Sequence, residues 1–325
     1  MFISVVITAY NRKEYLLDAI KSVLSQTLSR ENYEILVIKN FLEVQIDTYC
    51  KENFIRAINT GDVPQGEHIY KGITESKGDI IAFLDDDDLY EAIKLSSIFD
   101  AFSRYPDLLY YRNDLKVIDI TGKNAYDITS GKEDGLEILD VKDVLIKGIR
   151  TFRWNMSCIA TKKQIYLKFL DYDKKIKAAP DLSTFYMAVE AGGLFAWDHR
   201  KLTVYRLNEK SMTQIKGEHN DALREYNSLL PLGKYLERKE ALMDYEKTMS
   251  KIRAISIWDG AHASRHEMIG IPVKFLRGRI SNKYDFSIFA FIILIVLITG
   301  LFGANILKSV RKSVDKLWHY ENKYS

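Results

Sequence analysis

Cysteine is scarce in this chain. Two occur in 325 residues, Cys50 and Cys158. They make no Cys-x-x-Cys and no Cys/His spacing, so neither a zinc module nor a disulfide framework is expected. They read as two buried or half-buried thiols of a reducing compartment. The six histidines form no metal constellation. Neither a Gly-x-x-x-x-Gly-Lys loop nor a Gly-x-Gly-x-x-Gly loop follows the first apolar run, which sets aside the common phosphate loops. Internal repeats and low-complexity tracts are also missing. Charge is nearly balanced, with 47 Lys and Arg against 44 Asp and Glu for a net +3. No compact basic face stands out, so nucleic acid is not an expected partner. Met1 leads straight into an apolar run without a basic n-region, and no secretory leader is expected.

What is present is an alternation. Hydrophobic residues make up 47% and charged residues 28%, which suits a globular fold. Phe2–Thr8 reads as a buried parallel strand. Asn11 and Glu14 have capping-box spacing, and Leu16, Leu17, Ile20, Val23 and Leu24 then form one helical stripe. Glu34–Ile38 and Phe54–Ile58 read as further strands, Gly66–Lys77 as a helix ended by Gly78, and Asp79–Leu84 as a fourth strand. Strand and helix alternating through about the first hundred residues predict an α/β fold with a mostly parallel central sheet, flanking helices and right-handed crossovers. Ligands of such sheets bind outside the carboxyl ends of the strands. Tyr10–Asn11, Lys39–Asn40 and Asp85–Asp88 all fall at those ends. Short strands are expected at Leu108–Tyr111 and Leu202–Tyr205, and a mainly helical stretch over 218–258 broken at Pro231.

The tail differs from the rest. Phe286–Leu307 is a run of 22 residues without a charge. As a helix it spans about 33 Å, enough for a bilayer core. From Lys274 onward nine Lys or Arg face three acids. This predicts one transmembrane helix with cations on both sides. The basic segment 308–325, with Leu317, Trp318 and Tyr320, suits an interfacial helix or a plain tail.

Two stretches carry chemistry. Ile80–Tyr90 (IIAFLDDDDLY) delivers four carboxylates to the end of a hydrophobic strand. Four adjacent acids repel one another unless cations neutralise them. A hard divalent ion shared with diphosphate oxygens does so, and offsets charge growing on a departing nucleoside diphosphate. The plainer alternative is a solvated loop that caps the next helix. At Thr8–Asn11, a strand-to-helix turn offers backbone N–H groups to a nucleotide, with Tyr10 lining a base pocket. Asp181, after Pro180 and before a helix expected over Leu182–Ala191, is suited either to capping that helix or to taking a proton from an acceptor. Arg206 is a candidate diphosphate clamp; His199 and Arg200 lie nearby in sequence.

Together these stretches resemble the family 2 glycosyltransferases with the GT-A fold. The resemblance rests on SVVITAYNRKEYLLDAIKSVLSQT, EILVIKN, KGDIIAFLDDDDLY, AAPDLSTFYMAVEAGG and LTVYRLNEKSMT, in the family's order over roughly residues 1–215. It implies a GT-A domain over 1–215, a helical extension and basic juxtamembrane segment over 216–285, the span 286–307 and the tail 308–325. It implies nucleotide-sugar binding by Thr8, Ala9, Tyr10, Asn11, Arg12, Asp85, Asp86 and Arg206. Asp85 and Asp87 match the Asp-x-Asp motif and would hold Mg²⁺ or Mn²⁺, and Asp181 would be the general base of an inverting transfer. The chain departs from the family in three places. Lys39 stands where an acid often touches the base, Ile69-Tyr70 where Arg-Asn is common, and Pro180 where the acceptor motif begins with an acid.

The implied partners are a nucleotide-sugar donor, a lipid-linked or glycan acceptor, and a membrane. Sugar nucleotides are cytosolic, so the resemblance places the catalytic domain on the cytoplasmic side of a single-pass protein. A polyprenyl-phosphate sugar synthase is the second reading, and an inactive membrane-tethered binding module the third.

Overall fold

The computed structural model describes residues 1–63, 65–128, 135–147, 155–173, 176, 179–207 and 221–258. The expected transmembrane run 286–307, its basic approach and the tail 308–325 lie outside the described residues. Among the described residues no helix is long and apolar enough to cross a membrane.

The strands are β1 (Ile3–Ala9), β2 (Tyr33–Lys39), β3 (Arg56–Asn59), β4 (Ile80–Asp85), β5 (Leu89–Tyr90), β6 (Leu108–Ile118), β7 (Asn124–Ile128), β8 (Leu136–Leu139), β9 (Ile159–Lys162) and β10 (Leu194–Arg206). The helices are α1 (Leu16–Leu24), α2 (Val44–Glu52), α3 (Gln65–Glu75), α4 (Lys94–Arg104), α5 (Val141–Lys147), α6 (Leu170–Asp173), α7 (Pro180–Ala191), α8 (Asp221–Leu229) and α9 (Lys239–Trp258). The strands form one sheet in the order β3-β2-β1-β4-β9-β6-β10-β5, with β7 on β6 and β8 on β10.

β3, β2, β1 and β4 pair in parallel. β9 is antiparallel to both β4 and β6, and β10 is parallel to β6. Six strands of the main path therefore run in one direction, and only β9 and β5 oppose them. The sheet is mostly parallel in direction, as expected, but β9 wedges between its two parallel sets. β6 and β10 are also much longer than the short strands expected there. Their buried tracts include Arg112, Asn113, Asp114 and Asp198, which hide the apolar pattern of a core strand.

The core is built where β-branched and aliphatic residues of β1, β2 and β4 meet α1 and α4. Val5, Ile7, Ile35, Val37, Ala82 and Leu84 pack with Leu16, Ile20, Val23, Leu95 and Ile98 in one cluster. Burying a side chain of this size stabilises by roughly 1.5–3 kcal/mol. β4 can lie close beside β1 because Gly78 precedes it. A Cβ at Gly78 would sit 2.6 Å from the Ser4 amide nitrogen and 2.7 Å from the Phe2 carbonyl. Gly78 is therefore a close-approach glycine; α3 has already ended at Glu75.

The chain divides into two compact units, 1–217 with 234–238, and 218–233 with the residues from 239 onward. In the second unit α8 ends at Leu229, just ahead of Pro231, and α9 follows. The Tyr245 hydroxyl donates to the carbonyls of Leu229 and Leu230, at 2.9 and 3.1 Å.

Candidate active site

The carboxyl ends of β1, β4 and β10 build the site. Thr8 lies opposite Asp85 in the β1–β4 register, and its hydroxyl donates to Asp85 Oδ1 at 3.4 Å. Ala9 is buried opposite Lys39 of β2. Tyr10 turns outward, 42% exposed, with its hydroxyl donating to Asp62 at 2.7 Å and its ring edge-on to His68 at 5.6 Å.

Asn11 adopts the left-handed conformation, φ +53°, which asparagine tolerates better than most residues. Its backbone N–H donates to Asn40 Oδ1 at 2.8 Å, and Asn40 Nδ2 donates to Asn11 Oδ1 at 2.9 Å. That amide pair ties the loops after β1 and β2 together. It replaces the expected capping box, because α1 starts only at Leu16 behind Tyr15, with no side-chain cap.

After β4 the chain turns at once. The Asp88 N–H donates to the Asp85 carbonyl at 3.3 Å, and β5 then runs antiparallel to β10. The four carboxylates diverge in role. Asp88 is a latch: it accepts from the Arg206 backbone N–H at 3.0 Å and from Asn155 Nδ2 at 2.7 Å. Asp86 and Asp87 face Arg12. The guanidinium holds Asp86 through Nη2 and Nε, and Asp87 Oδ2 through Nη1 at 2.7 Å. The Asp85 backbone N–H donates to Ser157 Oγ at 3.0 Å. Arg206 is buried, with Nε donating to the Asp87 carbonyl at 3.1 Å and its guanidinium 4.2 Å above the Tyr15 ring.

Among the described residues, Arg12 is the cation that pairs with side chains of the turn, and three of its four carboxyls are raised. Burial raises the Asp85 carboxyl to about 6; the Asp87 charge adds to the rise, and Arg12 opposes it. Burial likewise raises Asp86 to about 8 against the pull of Arg12, and burial also raises Asp88 well above the usual carboxylate range. Arg12 itself is held above its ordinary value: burial works against its charge, and Asp86 and Asp87 outweigh that.

Asp181 belongs to the same field, since its charge also raises Asp85. It is half-buried in the first turn of α7, with Pro180 ahead of it at the start of the helix. The cap position is Ala179, left-handed at φ +53° and without a side-chain cap bond. The helix is capped at Ala179, and Asp181 lies inside its first turn rather than at the cap.

Two carboxylates, Asp85 and Asp87, suit a divalent cation in the manner typical of Mg²⁺. That ion takes one or two carboxylates and completes its shell with substrate phosphate and water. No cluster of three or more His, Cys, Asp or Glu ligands occurs among the described residues.

Residues 4–153 match the family model described as Glycosyl transferase family 2. This segment is similar to the family 2 glycosyltransferases. An uncharacterized glycosyltransferase of Rickettsia bellii is 32% identical over 140 residues, 41% of this chain and 19% of that protein. The minor teichoic acid biosynthesis protein GgaB of Bacillus subtilis is 24% identical over 151 residues, 43% of this chain and 16% of that protein. The chain thus spans less than a fifth of the length of these two relatives. In fold, the domain is similar to S. aureus TarS 1–349, solved in complex with UDP-GlcNAc. The TM-score is 0.59 at 13% identity, over 78% of this chain and 72% of that one. The architecture is accordingly the α/β, Rossmann-like GT-A type.

Several residues that shape the domain's site carry no sequence signal. Asn155 and Ser157 sit in and beside a single 3₁₀ turn, Met156–Cys158. Lys94 is fully buried and donates to the Ser157 carbonyl and to Thr203 Oγ1. It carries that turn from below, and burial lowers its pKa to about 7. His199 and Arg200 turn elsewhere, to Glu137 and to Asp198.

Proposed function

We propose that the chain is an inverting glycosyltransferase, moving a sugar from a nucleotide-sugar donor to a membrane-associated acceptor. One observation carries the reading. Asp181, distant in sequence from the acid turn, raises the Asp85 carboxyl by its charge, while Asp85 sits opposite Thr8 at the end of β1 and next but one to Asp87. That pairs a cation-seeking carboxylate turn with a separate carboxylate able to accept a proton.

In this mechanism Thr8, Ala9, Tyr10 and Asn11 line the nucleoside, while Arg12, Asp86 and Arg206 surround the diphosphate. Asp85 and Asp87 would hold Mg²⁺ or Mn²⁺, which supplies Lewis-acid stabilisation of the leaving diphosphate. Asp181 takes the proton from an acceptor hydroxyl as that oxygen attacks the anomeric carbon. The bond to the diphosphate oxygen breaks on the opposite face, so the anomeric configuration inverts. A base held near the hydroxyl contributes typically 10²–10⁴-fold.

The UDP-GlcNAc complex of TarS makes UDP-sugars the first donors to try, and the teichoic acid role in the GgaB name favours a cell-surface polymer as acceptor. The charge-free run 286–307 supports a single-pass anchor, and a cytosolic nucleotide-sugar donor would put the domain on the cytoplasmic face. The test is thermal stabilisation of the full chain by UDP-, GDP- and dTDP-sugars with and without Mn²⁺, for wild type and Asp87→Ala. Metal-dependent stabilisation by one nucleotide class, lost in Asp87→Ala, is the expected result. No stabilisation of a folded protein by any donor would sink the reading in favour of an inactive binding module.

A further inference from the structure

The fork of Arg12 is divided unequally. Its Nε and Nη2 edge engages both oxygens of Asp86, whereas Nη1 alone reaches Asp87 Oδ2, at 2.7 Å. Asp86 is nearly sealed, its side chain 3% exposed, while Arg12 is 27% exposed and opens toward solvent. Removing the Asp87 contact would therefore leave the two-point contact to Asp86 intact. Yet Asp87 is one of the two carboxylates assigned to the divalent cation. One carboxylate oxygen cannot neutralise a guanidinium and a divalent cation at full strength, because like charges at contact distance repel.

We infer that Arg12 is a built-in counter-ion for Asp87, displaced by the divalent cation while Asp86 keeps the guanidinium tethered beside the diphosphate. This rests on the metal and donor reading above. Cation binding costs the Nη1–Asp87 pair, so the metal alone binds weakly. A diphosphate gives the released Nη1 edge a new acceptor, in the geometry guanidinium favours for phosphate. Metal and nucleotide therefore tighten one another, and by equal factors, because binding free energies are reciprocal. Arg12 acts here as a positioning residue: it keeps the acid turn compact before the donor arrives and couples the two ligands afterwards.

Titration of Mn²⁺ alone against the full chain, following the spectrum of free Mn²⁺, reads this out without turnover. The titration is repeated with UDP as the nucleotide probe. Arg12→Gln is expected to bind Mn²⁺ alone about tenfold tighter or more, in line with coupling energies of close buried charge pairs. The tightening conferred by UDP should shrink by a similar factor. Arg12→Lys, a point charge that cannot fork across both acids, should fall between the two, and it decides the matter if Arg12→Gln does not fold. Equal or weaker Mn²⁺ binding by the variants would overturn the exchange while leaving the glycosyltransferase reading standing. No Mn²⁺ binding by any of the proteins, with or without UDP, would overturn both.

Discussion

Two strand ends in this domain carry charge, and they balance it in opposite ways. At the end of β2, Lys39 is buried, with its ammonium on Asp47 Oδ1 at 2.9 Å and donating to the Phe41 carbonyl at 2.6 Å. One cation meets one carboxylate and one carbonyl, and the account closes within the protein. At the end of β4, Asp86 and Asp87 share the guanidinium of Arg12, Asp88 is held by the Arg206 N–H and Asn155, and three of the four carboxyls are raised in pKa. Among the described residues that account stays open, which suits an added cation. A closed charge cluster argues for structure; an open one at the carboxyl edge of a parallel sheet argues for a ligand. The family 2 match covers both ends, yet only the open one keeps the family's acidic pattern.

The largest test of this contrast is Asp181→Asn. An amide of nearly the same shape cannot take up the acceptor proton. Turnover of nucleotide sugar to free nucleoside diphosphate should fall by about 10²–10⁴-fold, with Mn²⁺ affinity and melting temperature near those of wild type. Unchanged turnover would remove Asp181 from the chemistry.

Next in size is a contrast inside the acid turn. Asp88 is engaged as firmly as Lys39, since the Arg206 N–H and Asn155 Nδ2 both donate to it. Asp88→Ala would orphan two buried donors, at about 1–3 kcal/mol each. The loss should appear as an earlier unfolding midpoint in denaturant. Asp87→Ala, one residue away, should instead weaken Mn²⁺ binding with a smaller change in midpoint. Equal stability losses at the two positions would erase the distinction between latch and ligand.

How much of this was legible in sequence follows the same line. β1, β2, β4 and the acid turn were readable because apolar strands ending in Asn or Asp clusters carry their own punctuation. Arg12 and Asp181 were named through the resemblance, but the pairing of Arg12 with Asp86 and Asp87 depends on a β1–β4 register that no local pattern encodes. The Asn11–Glu14 spacing misled, because Asn11 spends its side chain on Asn40, twenty-nine residues away in sequence. Asn155, Ser157 and Lys94 were invisible for a related reason. They act through contacts between distant segments, and Lys94 in a helix reads as a surface residue until its burial is seen. β6 and β10 were underestimated because Arg112, Asp114 and Asp198 interrupt their apolar runs while pairing inside the fold. Arg112 donates to Asp114 at 2.8 Å, and the Tyr111 hydroxyl donates to Asp198 at 2.7 Å.

A third test uses pH. Asp85 and Asp86 have folded values of about 6 and about 8, above the ordinary 3.8. In metal-free protein the native state therefore holds more protons than the unfolded state across that window. Its stability should fall as pH rises from about 4 through about 6, and on toward 8. His68, lowered by burial, works in the opposite direction near its ordinary 6.5, so the clean comparison is with Asp86→Asn, in which the downward slope should flatten. Stabilisation by Mn²⁺ should grow over the same range, because the metal competes with those protons. A wild-type slope no steeper than that of Asp86→Asn would mean that the turn is neutralised without an external cation.

The smallest expected effect is the most pointed. If Lys39 is a closed structural pair, Lys39→Met should retain donor-dependent turnover within about twofold. The methionine stem follows the same buried path, and Asp47, 37% exposed at its side chain, can return to water when its partner is removed. Replacing a buried ion pair by packed apolar atoms is often close to neutral, so the unfolding midpoint should move by no more than about 1–2 kcal/mol in free energy. The family's base-contacting acid falls at this position, and Lys39 has turned inward, away from that role. A large change in nucleotide preference for Lys39→Met, with stability unchanged, would show that the ammonium reaches the base after all. The two strand ends would then be parts of one donor site rather than one site and one buttress.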